Sequence, residues 1–116
     1  MKNLLIFLGV SLLLVLATCS SAQLPTQEVS IIAKQFTFYP SQIVVRKGQP
    51  LRLYLTSTDV THGFALPDFK IDQPVKKGEI TTLNFVPNRS GTFPFHCSVF
   101  CGLGHLGMTG KLIVVE

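Results

Sequence analysis

Apolar and polar residues alternate along much of the chain. Leu51, Leu53 and Leu55 interleave with Arg52, Tyr54 and Thr56, the period-2 pattern of a strand with one buried face. Segments 28–34 and 42–46 are rich in β-branched residues and bounded by turn formers. Segments 79–85, 92–97 and 111–115 are strand-like as well. Lys47-Gly48-Gln49-Pro50 reads as a turn, and Pro67, Pro74, Gly78, the stretch from Pro87 to Gly91, and Gly110 punctuate the rest. No long window carries helical periodicity, and there is no repeat or low-complexity linker. The pattern predicts an all-β fold of about seven to eight short strands, an antiparallel sandwich or barrel.

Residues 1–22 follow a different pattern. Lys2 precedes an apolar stretch from Leu4 to Leu16, and small or polar residues follow as far as Ala22. That is the order of a secretory signal, and the stretch is shorter than the roughly 20 residues that span a bilayer. Ser20-Ser21-Ala22 before Gln23 suits ordinary cleavage. Leu16-Ala17-Thr18-Cys19 instead resembles a bacterial lipobox, with residues 1–18 as the leader and Cys19 carrying the lipid. Thr18 departs from the usual Gly, Ala or Ser, which favours simple cleavage. The expectation is an exported, periplasmic or extracytoplasmic domain over 23–116, soluble or lipid-anchored.

Composition narrows the picture. A chain of 116 residues holds one domain. Its net charge of +4 is scattered, and Lys76-Lys77 reads as a solvated turn, so no basic footprint for nucleic acid exists. Three cysteines are too few for a disulfide scaffold. Nine Phe and no Trp supply the aromatic area that helps so small a core close.

Two of those cysteines share one segment with other soft donors. Cys97, Cys101, His105 and Met108 lie close together, and thiolate, imidazole and thioether favour copper over magnesium or calcium. Gly102, Gly104 and Gly107 allow the tight turns that would aim several side chains inward. A further histidine, His62, lies upstream where one strand is expected to end and a loop to begin. A sandwich can bring that loop beside the 97–108 segment.

Two motifs, Ser57-x-Asp59-Val60-x-His62-x-Phe64 and Cys97-x3-Cys101-x3-His105-x2-Met108, carry a family resemblance. The chain resembles a cupredoxin, a Greek-key β-sandwich, with the dinuclear purple copper (CuA) site of cytochrome c oxidase subunit II and nitrous oxide reductase. The resemblance extends more loosely from Phe36 to Val115. It implies that Cys97 and Cys101 bridge two copper ions. His62 and Met108 would complete one, and His105 with the backbone carbonyl of Val99 the other. The family often has Glu at the Val99 position, but its bond there comes from the carbonyl. The implied function is one-electron transfer in a periplasmic or respiratory chain. The protein would be a carrier and not an enzyme, working as a monomer with partners such as a c-type cytochrome or a terminal oxidase or reductase. It also lacks the transmembrane helices and the Trp of the oxidase subunit, so a free or tethered carrier is the expectation.

Other readings stand beside this one. Cys-x3-Cys alone would be a disulfide, Met108 alone core packing, and His62 alone a loop histidine. His96 is adjacent to Cys97, but strand alternation places it on the face opposite Phe93, Phe95 and Cys97, so it is expected outside the metal shell. Most Phe residues are expected in the core, with Phe64 or Phe100 as a minor option for an electron-transfer surface. A mononuclear blue copper protein would leave one cysteine unexplained. A copper-delivery protein would usually carry Met- and His-rich tracts. No acid–base pair or nucleophile arrangement for catalysis stands out.

Overall fold

Among the described residues, nine strands pair into two sheets that face each other across one hydrophobic core. The computed structural model describes residues 9, 11–18 and 24–116; the expected cleavage after Ala22 and lipid attachment at Cys19 lie outside the described residues. Among the described residues, no helix is long and apolar enough to cross a membrane. One sheet has the order β2-β1-β4-β7, built from β1 (Gln27–Lys34), β2 (Thr37–Tyr39), β4 (Leu51–Ser57) and β7 (Thr81–Phe85). The other runs β3-β9-β8-β5-β6, from β3 (Gln42–Arg46), β5 (His62–Leu66), β6 (Ile71–Val75), β8 (Gly91–His96) and β9 (Thr109–Val115).

Alternation sets which residues turn inward. In β4, Leu51, Leu53, Leu55 and Ser57 are buried while Arg52, Tyr54 and Thr56 are only partly covered. The same period buries Ile43 and Val45 in β3, Phe93 and Phe95 in β8, and Leu112 and Val114 in β9.

Two expectations need correction. The sandwich is not purely antiparallel: β1 pairs in parallel with β4, and β3 in parallel with β9. The chain leaves the first sheet after β2, contributes β3 to the second, and returns as β4, and such a crossover brings β4 back alongside β1 in the same direction. The nine strands among the described residues are close to the expected seven to eight, and those without a clear sequence signature include one that matters to the site. His62 does not close a strand; it opens β5. All five residues of β5 are buried, so both faces are covered and the alternation that marks other strands is absent.

The core concentrates aromatic residues beneath one end of the sheets. Phe38, Phe64 and Phe95 touch pairwise, with ring centroids 4.9–5.9 Å apart in edge-on or tilted arrangements. Such pairs contribute about 0.5–1.5 kcal/mol each beyond their buried area. Phe64 lies two residues after His62 and Phe95 two before Cys97, so strand periodicity puts each histidine or cysteine on the same face as a core ring. The rings therefore form a floor for the side chains above them.

Candidate metal centre

The first half of the site is the turn between β4 and β5. The Ser57 hydroxyl donates to the Val60 carbonyl, closing the turn from within. Asp59 then collects donors from three directions. Its Oδ1 accepts the Val60 amide at 2.7 Å and pairs with His62 Nε2 at 2.7 Å, and its Oδ2 accepts the Gln35 amide at 2.7 Å. Partial burial pushes the Asp59 carboxyl up, but the Gln35 amide, the His62 ring and the Val60 amide outweigh it and hold the carboxyl down at about 2. The carboxylate is thus an acceptor for a ring N–H, which leaves His62 Nδ1 as the lone-pair nitrogen. Nδ1 faces the Cys97 sulfur at 3.9 Å, and the whole side chain is 0% exposed.

The second half is the loop from the end of β8 to the start of β9. The Cys97 amide donates to the Met108 carbonyl at 3.0 Å, tying the two ends of the loop together. Within it, Gly102 has φ of 137°, a conformation that favours glycine, and a Cβ there would lie 2.8 Å from the Phe36 ring. Phe36 packs under the loop, and Gln35 beside it donates from Nε2 to the Cys101 carbonyl at 2.6 Å. A short 3-10 turn, His105–Gly107, then carries the chain to Met108.

These two halves meet around a pair of sulfurs. Cys97 Sγ and Cys101 Sγ are 3.5 Å apart, and both cysteines are free and buried. The disulfide reading therefore does not describe this state. Cys97 Sγ lies 3.1 Å from the Val99 carbonyl oxygen and accepts the Gly63 amide at 3.5 Å. Cys101 Sγ lies 3.6 Å from His105 Nδ1 and 3.9 Å from Met108 Sδ. Donor atoms of His62, Cys97 and Cys101 all fall within 4.8 Å of one another. Burial first, then the neighbouring Cys97 sulfur and the Asp59 charge, push the Cys101 thiol up to about 11. The Cys101 sulfur thus keeps its proton at neutral pH until a cation replaces it.

Every residue expected in the site from sequence, His62, Cys97, Val99, Cys101, His105 and Met108, is brought into this cluster. His96 is not: it is exposed, on the face of β8 opposite Phe95 and Cys97, as alternation required. Phe64 is core, whereas Phe100 is exposed, with its ring centroid 5.7 Å from that of His105. Three supporting residues were given no structural role from sequence, although Asp59 marked one of the motifs. Gln35 braces both halves, Asp59 orients His62, and Gly63 admits the loop, since a Cβ at Gly63 would lie 2.7 Å from the Val99 nitrogen. The motif spacing that includes Asp59 was the one available signal.

The donor set fits copper. Two thiols, two imidazoles, a thioether and a carbonyl converge without a carboxylate ligand, the combination that suits copper rather than hard cations.

Comparison with known proteins agrees. A family model described as a cupredoxin-like domain matches residues 4–114. Cytochrome c oxidase subunit 2 of Thermus thermophilus is 35% identical over 88 residues, covering 76% of this chain and 65% of that protein. Nitrous-oxide reductase of Cupriavidus necator is 32% identical over 90 residues, 74% of this chain and 14% of the reductase. The chain thus spans just under two thirds of the first and a small part of the second. Among solved structures, the periplasmic domain of subunit II of cytochrome oxidase from Bradyrhizobium japonicum superposes with a TM-score of 0.72 at 25% identity, covering 78% of this chain and 84% of that one. The resemblance read from the two motifs is borne out.

Proposed function

Because this chain belongs to the cupredoxin-like domain family, we propose that it is a one-electron carrier holding a dinuclear copper centre of the CuA kind. The observation that carries this reading is the pair of free, buried thiols 3.5 Å apart, ringed by the donors of His62, His105, Met108 and the Val99 carbonyl. Cys97 and Cys101 would hold both ions, His62 with Met108 would complete one, and His105 with the Val99 carbonyl the other. A mononuclear site would leave one of two equally placed sulfurs idle. When bound, the thiolate-bridged copper pair supplies a one-electron couple shared over both ions.

The chain's own contribution is rigidity and the exclusion of water. Asp59 fixes the ring of His62, Gln35 ties the Cys101 carbonyl to the Asp59 turn, and Phe64 and Phe95 fill the space below. Preset ligands need little rearrangement when an electron arrives or leaves. Every donor of the cluster is accounted for by the copper pair, which favours a carrier over a catalyst. His105 is the cluster's only partly exposed side-chain donor, and Phe100, Leu103 and Leu106 around it are 72%, 100% and 91% exposed. That apolar rim supports docking of a redox protein such as a c-type cytochrome or a terminal oxidase or reductase. Read as a leader, the segment 1–22 supports work outside the cytoplasm, in the periplasm or, with Cys19 lipidated, on its membrane surface.

Copper loading with absorption spectra tests the reading. Two coppers per chain and a purple colour are expected; one copper and a blue colour would replace it with a mononuclear site. Ready transfer of copper to an acceptor, without a reversible one-electron couple, would make the protein a delivery factor instead.

A further inference from the structure

Residue type and position disagree at His96: imidazole is a good copper donor, yet this one lies outside the cluster. A cleft of about 320 Å³ resolves the disagreement. Its walls are His96, Cys97, Ser98, His105 and Leu106, so two of its five lining residues also belong to the ligand cluster. We infer that this cleft is the route by which copper reaches the centre, and that His96 is a transient ligand that receives the ion and passes it to His105 and Cys97. The inference rests on the copper reading above and adds a step to it.

Burial leaves few other approaches. His62, Cys97, Cys101 and Met108 are all buried, and only His105 is partly open among the side-chain donors. Phe100, Leu103 and Leu106, exposed in the same segment as His105, offer a cation nothing in exchange for its hydration water. His96, in the wall of the cleft, offers an imidazole instead. On the same wall, the Ser98 hydroxyl donates to Asp72 Oδ1 at 2.6 Å, which holds a carboxylate beside the cleft. The chain's net charge of +4 gives a cation no long-range attraction, so capture depends on local donors such as these. An ion that exchanges one ligand at a time, from carrier to His96, to His105, to the sulfurs, never crosses apolar surface bare. No electron moves in these steps. Each breaks one metal–donor bond and forms another, and the cysteine thiols release their protons to solvent as the sulfurs bind.

The test uses the purified, reduced, metal-free protein and Cu(I) supplied anaerobically from a weak chelator, followed by copper–thiolate absorption. His96→Leu is expected to load several-fold more slowly and still reach the same copper content. His96→Met, of similar volume but with a thioether donor, is expected to regain most of the rate. Unchanged loading in His96→Leu would overturn the inference, as would equal slowing in the Leu and Met variants, since a steric role would not tell them apart. A lower final copper content in His96→Leu would also overturn it, by making His96 a resident ligand. If the unaltered protein takes up no copper, the proposed function itself fails.

Discussion

The sulfurs at 97 and 101 and the thioether at 108 are all soft, but they do not carry equal weight. Each cysteine sulfur lies against two or more of the other donors, whereas Met108 Sδ contacts only the Cys101 sulfur. Cys97→Ser or Cys101→Ser should therefore abolish the two-copper spectrum. Met108→Leu should keep both coppers and shift the potential, because a thioether is a weak axial donor. Copper analysis with voltammetry separates the cases, and loss of copper in Met108→Leu would remove Met108 from the axial role. Asp59 acts one bond further out. Its folded carboxyl sits near 2 against an ordinary 3.8, so the stability it contributes is present above pH 3.8 and is lost as pH falls toward 2. Asp59→Asn keeps an acceptor for His62 but sets an amide N–H2 against the Gln35 amide. The variant should lose about 1 kcal/mol at neutral pH, and the difference should shrink on acidification. Denaturant titrations of the metal-free protein across that range check this; a pH-independent gap would mean the carboxylate charge is irrelevant.

At the scale of elements, the centre depends on β5 passing close under the loop that follows β8. Gly63 makes this possible: a Cβ there would meet Ser98 and lie 2.7 Å from the Val99 nitrogen, and its own amide donates to the Cys97 sulfur. Gly63→Ala should push the 98–99 backbone outward and displace the Val99 carbonyl. The expected result is weakened copper binding and an altered spectrum in a protein that still folds, read by copper competition and circular dichroism. A variant with unaltered spectrum and affinity would show that the loop yields without cost. The same strand shows what was and was not legible in the sequence. Strands with one solvated face, such as β3, β4 and β9, announce themselves by alternation. β5 is buried throughout and has no such signature, β6 carries Pro74 at the sheet edge, and β2 is only three residues long before Pro40. Cys97, Cys101, His105 and Met108 were legible because their spacing is local to one loop, and His62 because it shares a short motif with Asp59. Gln35 was not, because its role is a contact with a carbonyl 66 residues away.

For the whole molecule, the sandwich gathers the proposed copper donors into one cluster, and the half-open one, His105, shares its loop with exposed apolar side chains. Phe100, Leu103 and Leu106 are largely or wholly exposed, so their exposure costs hydration free energy that a partner could recover. Fully burying one such side chain is worth roughly 1.5–3 kcal/mol, the scale of a ten- to hundredfold change in affinity. Leu103, wholly exposed in the loop between Cys101 and His105, is the cleanest probe because changing it removes no contact inside the domain. Leu103→Asp should keep both coppers, the spectrum and the potential, yet slow electron exchange with a c-type cytochrome about tenfold or more. Adding salt should restore little of that rate if the interface is apolar, since screening acts on charges and not on hydrophobic contact. Stopped-flow exchange at several salt concentrations separates the possibilities. A rate unchanged by Leu103→Asp would move the docking surface elsewhere, and full recovery in salt would show that the aspartate acts only by repelling an acidic partner.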